Sequence, residues 1–358
     1  MDKPTDTAVA KATLTFAARG SDEVMYFLAS HFAGGDVITL LQRLQNISVH
    51  YQKCHCLPDI SDIIECVMVA YTGEELERLV KKSVTQWAQA LEGYARMSLV
   101  SLASALTNNY RYWIIDSTSS YWPRQLFDLP LHTQSQPPLC LWGLGDMNAL
   151  VSCPEPISIV GSRAVDAYGR QVAFQCGKYA AIHGHTVISG GALGADAAAH
   201  WGALAAADCI EDAGKTIAVM AGGLNYIGPA RNSTLFDRII QTQGAIISEL
   251  APNTTPEPYR FLHRNRLIAA LGSVVIISQA QARSGALNTA TWAAELNRLV
   301  VAAPGNINTV HNTGCNRLIY DGKATLLVSA TDLSDVCHAS HDPLAASKPA
   351  TGSVSNPP

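Results

Sequence analysis

Gly161, Ser162 and Arg163 stand directly after the apolar run Ile157–Val160. A turn of that composition at a strand's carboxyl end gathers backbone N–H groups, a hydroxyl and a guanidinium, which together can hold a phosphate. Taken alone, it serves equally as a tight turn carrying a surface arginine. A second such stretch is Ser189, Gly190 and Gly191, followed by Gly194 and Asp196, where glycine permits close backbone approach ahead of a helix N-terminus. Asp196 reads first as a cap of that helix, and His200, one turn on, as a packed interior side chain. A third loop leaves Gly222 and Gly223 and leads to Arg231 and Asn232. Arg264, Asn265 and Arg266 fall at the start of a helix predicted over 263–271, where unpaired N–H groups favour anions. Ser284 and Gly285, after Arg283, open one more helix. These loops lie along one sheet edge, and that edge suits a polyanion.

The elements that must position these residues follow from the spacing of apolar side chains. Short apolar runs at 157–160, 186–189, 216–220, 245–248, 274–277 and 299–303 read as buried strands. Helical spacing at 168–183, 196–206, 232–242, 263–271 and 287–296 separates them. Such a βαβ series predicts an α/β fold, a mostly parallel sheet with helices on both faces, whose ligands gather outside the carboxyl ends of the strands. Residues 1–110 differ. Helical spacing at 36–45 and 74–91, with Thr72 and Glu75 forming a capping-box signature, predicts a small helical N-terminal domain. Residues 111–155, rich in Pro, Ser and Trp, read as an extended connector to the α/β domain at 156–332. From 333 the composition turns to Ala, Ser, Pro and Asn and predicts a disordered tail.

Composition narrows the function classes. The 358 residues, 48% hydrophobic and 15% charged, are enough to bury a core. There is no run of about 18 apolar residues and no basic start followed by an apolar stretch, so no membrane association is predicted and the expected location is cytoplasmic. The nine cysteines never fall in Cys-x-x-Cys spacing, and the Cys54-His55-Cys56 pair is a poor ligand set, so neither a disulfide framework nor a metal is expected. The net charge of −4 is unevenly spread. Residues 151–330 hold 13 Lys and Arg against 11 Asp and Glu, while the remainder holds 12 against 18. Ten of those 13 cations are arginine, the side chain suited to planar, bidentate phosphate contacts. The glycine loop at 189–194 follows the second strand and lacks the Gly-x-Gly-x-x-Gly spacing, so no dinucleotide cofactor is expected.

Taken in order, these segments resemble the DprA/Smf family. The likeness rests on Val160 to Arg163 with Tyr168 and Gly169, Ser189 to Ala192, Ala199 and His200, and Gly223 to Pro229 with Asn232. It continues through Ser248 and Glu249, Arg264 to Ile268, Ser284 to Ala286, Pro304 and Gly305, and Gly314 to Ile319. Tyr121 to Leu126 and Pro137 to Gly143 look like the family's run-in to its Rossmann-like domain. Asn225, Gly228, Leu262, Gln279 and Asn297 stand where the family usually has Asp, Tyr, Pro, Glu and Gly. The resemblance implies a recombination mediator that binds single-stranded DNA, protects it and assists loading of RecA recombinase in natural transformation. It places Gly161, Ser162, Arg163, Ser189 to Gly191, Arg231, Asn232 and Arg264 to Arg266 in the phosphate-binding pocket. A homodimer is the expected assembly, and a winged-helix tail is not expected after Asp332.

Two other classes share the superfold. A nucleotide-sensing module would carry the same pocket, and is told apart by binding mononucleotides as well as long strands. A nucleotide phosphoribohydrolase needs a glutamate at the helix start after Gly285, and Trp292 occupies that position. No catalytic residue is therefore assigned, and the chain reads as a binding protein.

Overall fold

In the computed structural model, residues 3–71 and 75–337 are described. The chain opens with six helices, α1 (Asp6–Ala17), α2 (Glu23–His31), α3 (Val37–Cys54), α4 (Ser61–Met68), α5 (Leu76–Ala90) and α6 (Leu99–Leu106). Each of the first three starts on a side-chain cap that accepts an otherwise orphaned amide: Thr5 from Ala8, Asp22 from Met25, and Asp36 from Ile38 and Thr39. Their apolar faces, including Leu14, Leu28, Leu40, Leu44, Ile47 and Val84, close a core of their own. The helix predicted over 36–45 runs on to Cys54; Thr72 of the predicted capping box lies outside the described residues. Among the described residues no single helix is long and apolar enough to cross a membrane.

The remainder alternates strand and helix: β1 (Trp113–Asp116), α7 (Asp128–His132), β2 (Cys140–Gly145), β3 (Ile157–Val160), α8 (Ala167–Ile182), β4 (Val187–Ser189), α9 (Ala195–Ala207), β5 (Thr216–Val219) and α10 (Ser233–Gln241). Then come β6 (Ala245–Ser248), α11 (Pro258–Leu271), β7 (Val274–Ile277), α12 (Ala286–Glu295), β8 (Leu299–Ala302), α13 (Thr313–Tyr320) and β9 (Thr325–Leu326). All six predicted strands are present, with bounds shifted by at most one residue. They lie in a nine-stranded sheet of order β1-β2-β6-β5-β4-β3-β7-β8-β9. From β6 to β9 every pairing is parallel, with β3 at the centre in register Ile157↔Val187 on one side and Ile157↔Val274 on the other.

Alternate residues of each strand face opposite layers, as a pleated strand requires. Val160, Ile188, Val219, Ile247 and Ile277 pack under α11 and α12. Ile159, Val187 and Ile276 pack under α8 and α9, and Ala218 and Ile246 under α10 and α1. Helices α8 and α9 touch backbone to backbone: a Cβ on Gly202 would lie 2.0 Å from the carbonyl oxygen of Phe174, and one on Gly177 2.2 Å from that of Ala199.

Two expectations are corrected here. The stretch 111–155 is not merely an extended connector: it supplies β1 and β2, which add antiparallel strands to the sheet at β6, with Trp142↔Ser248 and Gly145↔Ala245 paired. Pro and Ser around these strands mask two short apolar runs whose pairing partners lie far along the chain. The order also outlasts 332, because Leu333 is fully buried and Val336 and Cys337 pack beside it; the rest of the predicted tail, 338–358, lies outside the described residues.

Candidate functional site

On one side of β3 the chain goes on to β4 and β5; on the other stands β7. The loops leaving β3 and β7 therefore diverge, and a crevice opens over the carboxyl ends of both strands. Together with α11 they enclose an open cleft of about 610 Å³. Gly161, Ser162 and Arg163 line it from the β3 loop, Ser284 and Gly285 from the β7 loop, and Arg264 and Asn265 from α11.

The β3 turn is tightly held. The Ser162 amide donates to the carbonyl of Gln279 at 2.8 Å, and the Ser162 carbonyl accepts from the amide of Ala195 at 3.2 Å, tying the turn to the end of β7 and the start of α9. A Cβ on Gly161 would come within 2.9 Å of Ala195, Ser278 and Gln279, so packing between elements demands this glycine. Arg163 is exposed, and its guanidinium lies 4.7 Å from the centre of the Phe261 ring, which also lines the cleft. Gln279, fully buried, donates to Asp166 and Asn312, both at 2.9 Å, and accepts from the Asp166 amide. A carboxylate there has no N–H to give Asp166, which accounts for Gln at this position.

Arg264, Asn265 and Arg266 are not at a helix start. Pro258 is the first residue of α11, where its fixed φ and missing N–H suit the first turn, so the three lie in the helix's second and third turns and are buried. Arg264 donates to the carbonyls of Gly190 and Val219, closing the ends of β4 and β5. A Cβ on Gly190 would lie 2.4 Å from that guanidinium, so this glycine makes room for Arg264. Asn265 donates to Gly285 and Asn288, bridging α11 and the β7 loop. Arg266 is fully buried outside the cleft, paired with Glu249 at 2.6 Å.

Among the other expected positions, Ser189 is buried and donates to the Ile159 carbonyl at 2.6 Å. Asn232 latches its loop by donating to the carbonyls of Gly191 and Ala192. Arg231 is exposed beside that latch but does not line the cleft. Asp196 lines the cleft one residue inside α9, the cap position being Gly194 at φ 84; its carboxylate accepts from the Ala192 amide. Burial pushes the Asp196 carboxyl up, and the Arg264 charge partly offsets this. Burial pushes Arg264 down to about 10, so it stays charged at neutral pH, with Asp196 holding it up and Arg163 working against it. His200 is packed inside as expected: its Nδ1 sits 2.7 Å from the Thr216 hydroxyl, and burial pushes it down to about 3. Among the described residues no three His, Cys, Asp or Glu side chains form a group that could hold a metal.

The cleft as built thus offers one exposed cation on an aromatic ring, a buried cation, Arg283 and the hydroxyls of Ser162, Ser284 and Thr289, set against one buried carboxyl. It can take an anion together with a flat apolar group. Asp196, which the sequence presents first as a helix cap, is thus a cleft residue, and Pro258, a first-turn signal, marks where the helix carrying Phe261 starts.

Residues 113–338 match the family model described as DNA recombination-mediator protein A. A putative DNA processing protein DprA of Mycobacterium tuberculosis is 41% identical over 196 residues, 55% of this chain and 48% of that protein. Protein Smf of Escherichia coli is 32% identical over 259 residues, 72% of this chain and 63% of its own. This chain thus spans about half to two thirds of the length of these curated relatives. The X-ray structure of DNA processing protein A from Streptococcus pneumoniae shares the fold, with a TM-score of 0.64 at 23% identity over 92% of this chain and 98% of that one. The Helicobacter pylori protein, whose structure concerns its single-stranded DNA binding mode, gives a TM-score of 0.54 at 28% identity over 63% of this chain and 94% of that one. With the family model matched across more than half of its residues, on the sheet that builds the cleft, this chain belongs to the DNA recombination-mediator protein A family.

Proposed function

We propose that the cleft over β3 and β7 binds single-stranded DNA, and that through it the chain protects incoming strands and helps load RecA recombinase in natural transformation, as a homodimer. The observation that carries this reading is the Arg163 guanidinium lying on the Phe261 ring at the cleft wall. A cation and an aromatic face side by side match the repeating unit of a single strand, a phosphate and a base, and every base has a π-face, so the match does not depend on sequence. The DNA binding of the Helicobacter pylori relative supports it. Catalysis is not part of the proposal, since Trp292 leaves α12 without the carboxylate that ribosyl chemistry would use.

The test is an anisotropy titration of the full chain with single-stranded oligomers of increasing length, duplex DNA and AMP. Affinity should climb with strand length and fall steeply with salt, several phosphates contributing to the slope. Equal affinity for AMP and for long strands would make the cleft a nucleotide sensor instead.

A further inference from the structure

On the far side of α11 lies a second cleft of about 380 Å³, between Arg19 and Ser21 after α1, the ends of β5 and β6, and Tyr259, Arg260 and His263 of α11. The first turns of this helix form a ridge. Phe261 and Asn265 face the cleft at the switch point, Tyr259 and Arg260 face the second one, and Arg264 lines both.

The two sides carry the same pairing. Arg163 lies over Phe261 at 4.7 Å, and Arg260 lies over Tyr259 at 5.1 Å. Arg260 is anchored across the junction by a hydrogen bond from its Nη1 to the Arg19 carbonyl at 3.2 Å. Among the described residues, the buried Nε–H groups of Arg260 and Arg264 meet no acceptor, and a buried donor left unmet asks for an outside acceptor. At the crest, Glu257 makes no side-chain cap, Pro258 carries no N–H and the Arg260 amide donates to the Glu257 carbonyl at 2.9 Å, so Tyr259 carries the first N–H of this 14-residue helix that an outside acceptor can meet. Of the two carboxylates in the second cleft, Glu249 is engaged by Arg266 at 2.6 Å, leaving Glu257 against Arg19, Arg260 and Arg264.

We propose that the second cleft continues the first: a single strand crosses the crest of α11 and lays its next phosphodiester and base on Arg19, Arg260 and Tyr259. This extends the reading proposed above and rests on it. The helical N-terminal region then takes a direct part in holding the strand, through Arg19.

The test uses the full chain carrying Arg260→Gln and Arg19→Asn, titrated with short and long oligothymidylates at several salt concentrations. Asparagine is chosen because Arg19 sits at φ 61, a backbone region that residue tolerates. Long-strand affinity should fall on the order of tenfold, and the salt slope by about 0.7 for each phosphate released. Strands short enough for one cleft should bind as before, which also shows that the variant is folded. Unchanged long-strand affinity overturns the proposal, and so does an equal loss for short strands. Arg163→Ala in the same titrations separates the two readings: loss there with none at Arg19 and Arg260 leaves the first cleft standing, while no loss at any of the three removes both.

Discussion

The arginines that the sequence marks for the site do different work, and their depth decides which. Arg163 is exposed on Phe261, whereas Arg266 is eight residues into α11, roughly 12 Å below the helix start at 1.5 Å per residue. Arg163→Ala should therefore weaken binding to every sequence and flatten the salt slope by about 0.7, read from titrations at several salt concentrations. Arg266→Ala should instead cost about 3–5 kcal/mol of stability by stranding Glu249, seen as a lower denaturation midpoint. His200 adds a pH dependence. Its folded pKa, about 3, lies below its ordinary 6.5, so the unfolded chain binds the proton more readily. Stability is fully present above 6.5 and falls with acid toward 3, by about 1.4 kcal/mol per pH unit; His200→Gln should flatten that stretch of a melting-temperature profile. The arginine-rich triplet stands out in the sequence, but which members reach the cleft does not, because Pro258 starts the helix five residues upstream of the position that apolar spacing implies.

At the scale of elements, α8 and α9 are built to touch. Ala, Gly and Cys fill the seam, and Gly177 and Gly202 let one backbone meet the other. Gly202→Val should cost roughly 1–3 kcal/mol by forcing the helices apart, measured by chemical denaturation, with the cleft, which α9 reaches only through its first turn, keeping its affinity for strands. The central strands were legible because a buried parallel strand is a continuous apolar run with glycine or proline at its ends. β1 and β2 were not, since an antiparallel edge four to six residues long, set among Pro, Ser and Trp, carries no local sign of the partner it will find. Leu333 escaped notice for a similar reason: one apolar residue in a polar stretch has no period, and only the pocket it fills reveals it.

For the whole molecule, a central strand flanked by chain running in two directions puts the cleft where the topology requires it, which is why motifs spread from Gly161 to Gly285 meet at one edge. In sequence the glycines along that edge look like places of ligand approach, yet Gly161 and Gly190 make room for the protein's own side chains and backbone. This difference shows only in three dimensions. The pairing of β2 with β6 has a bearing on how the protein is made. Gly145 leaves the ribosome 100 residues ahead of its partner Ala245. At about 5–20 residues per second that is a wait of roughly 5 to 20 seconds, during which a ribbon carrying Trp113 and Trp142 has an open edge. A fragment of residues 151–337, which lacks that ribbon, keeps the complementary edge open for good. It should form species larger than a dimer in sedimentation at concentrations where the full chain does not, and a well-behaved species no larger than a dimer would show that β6 tolerates solvent on its own.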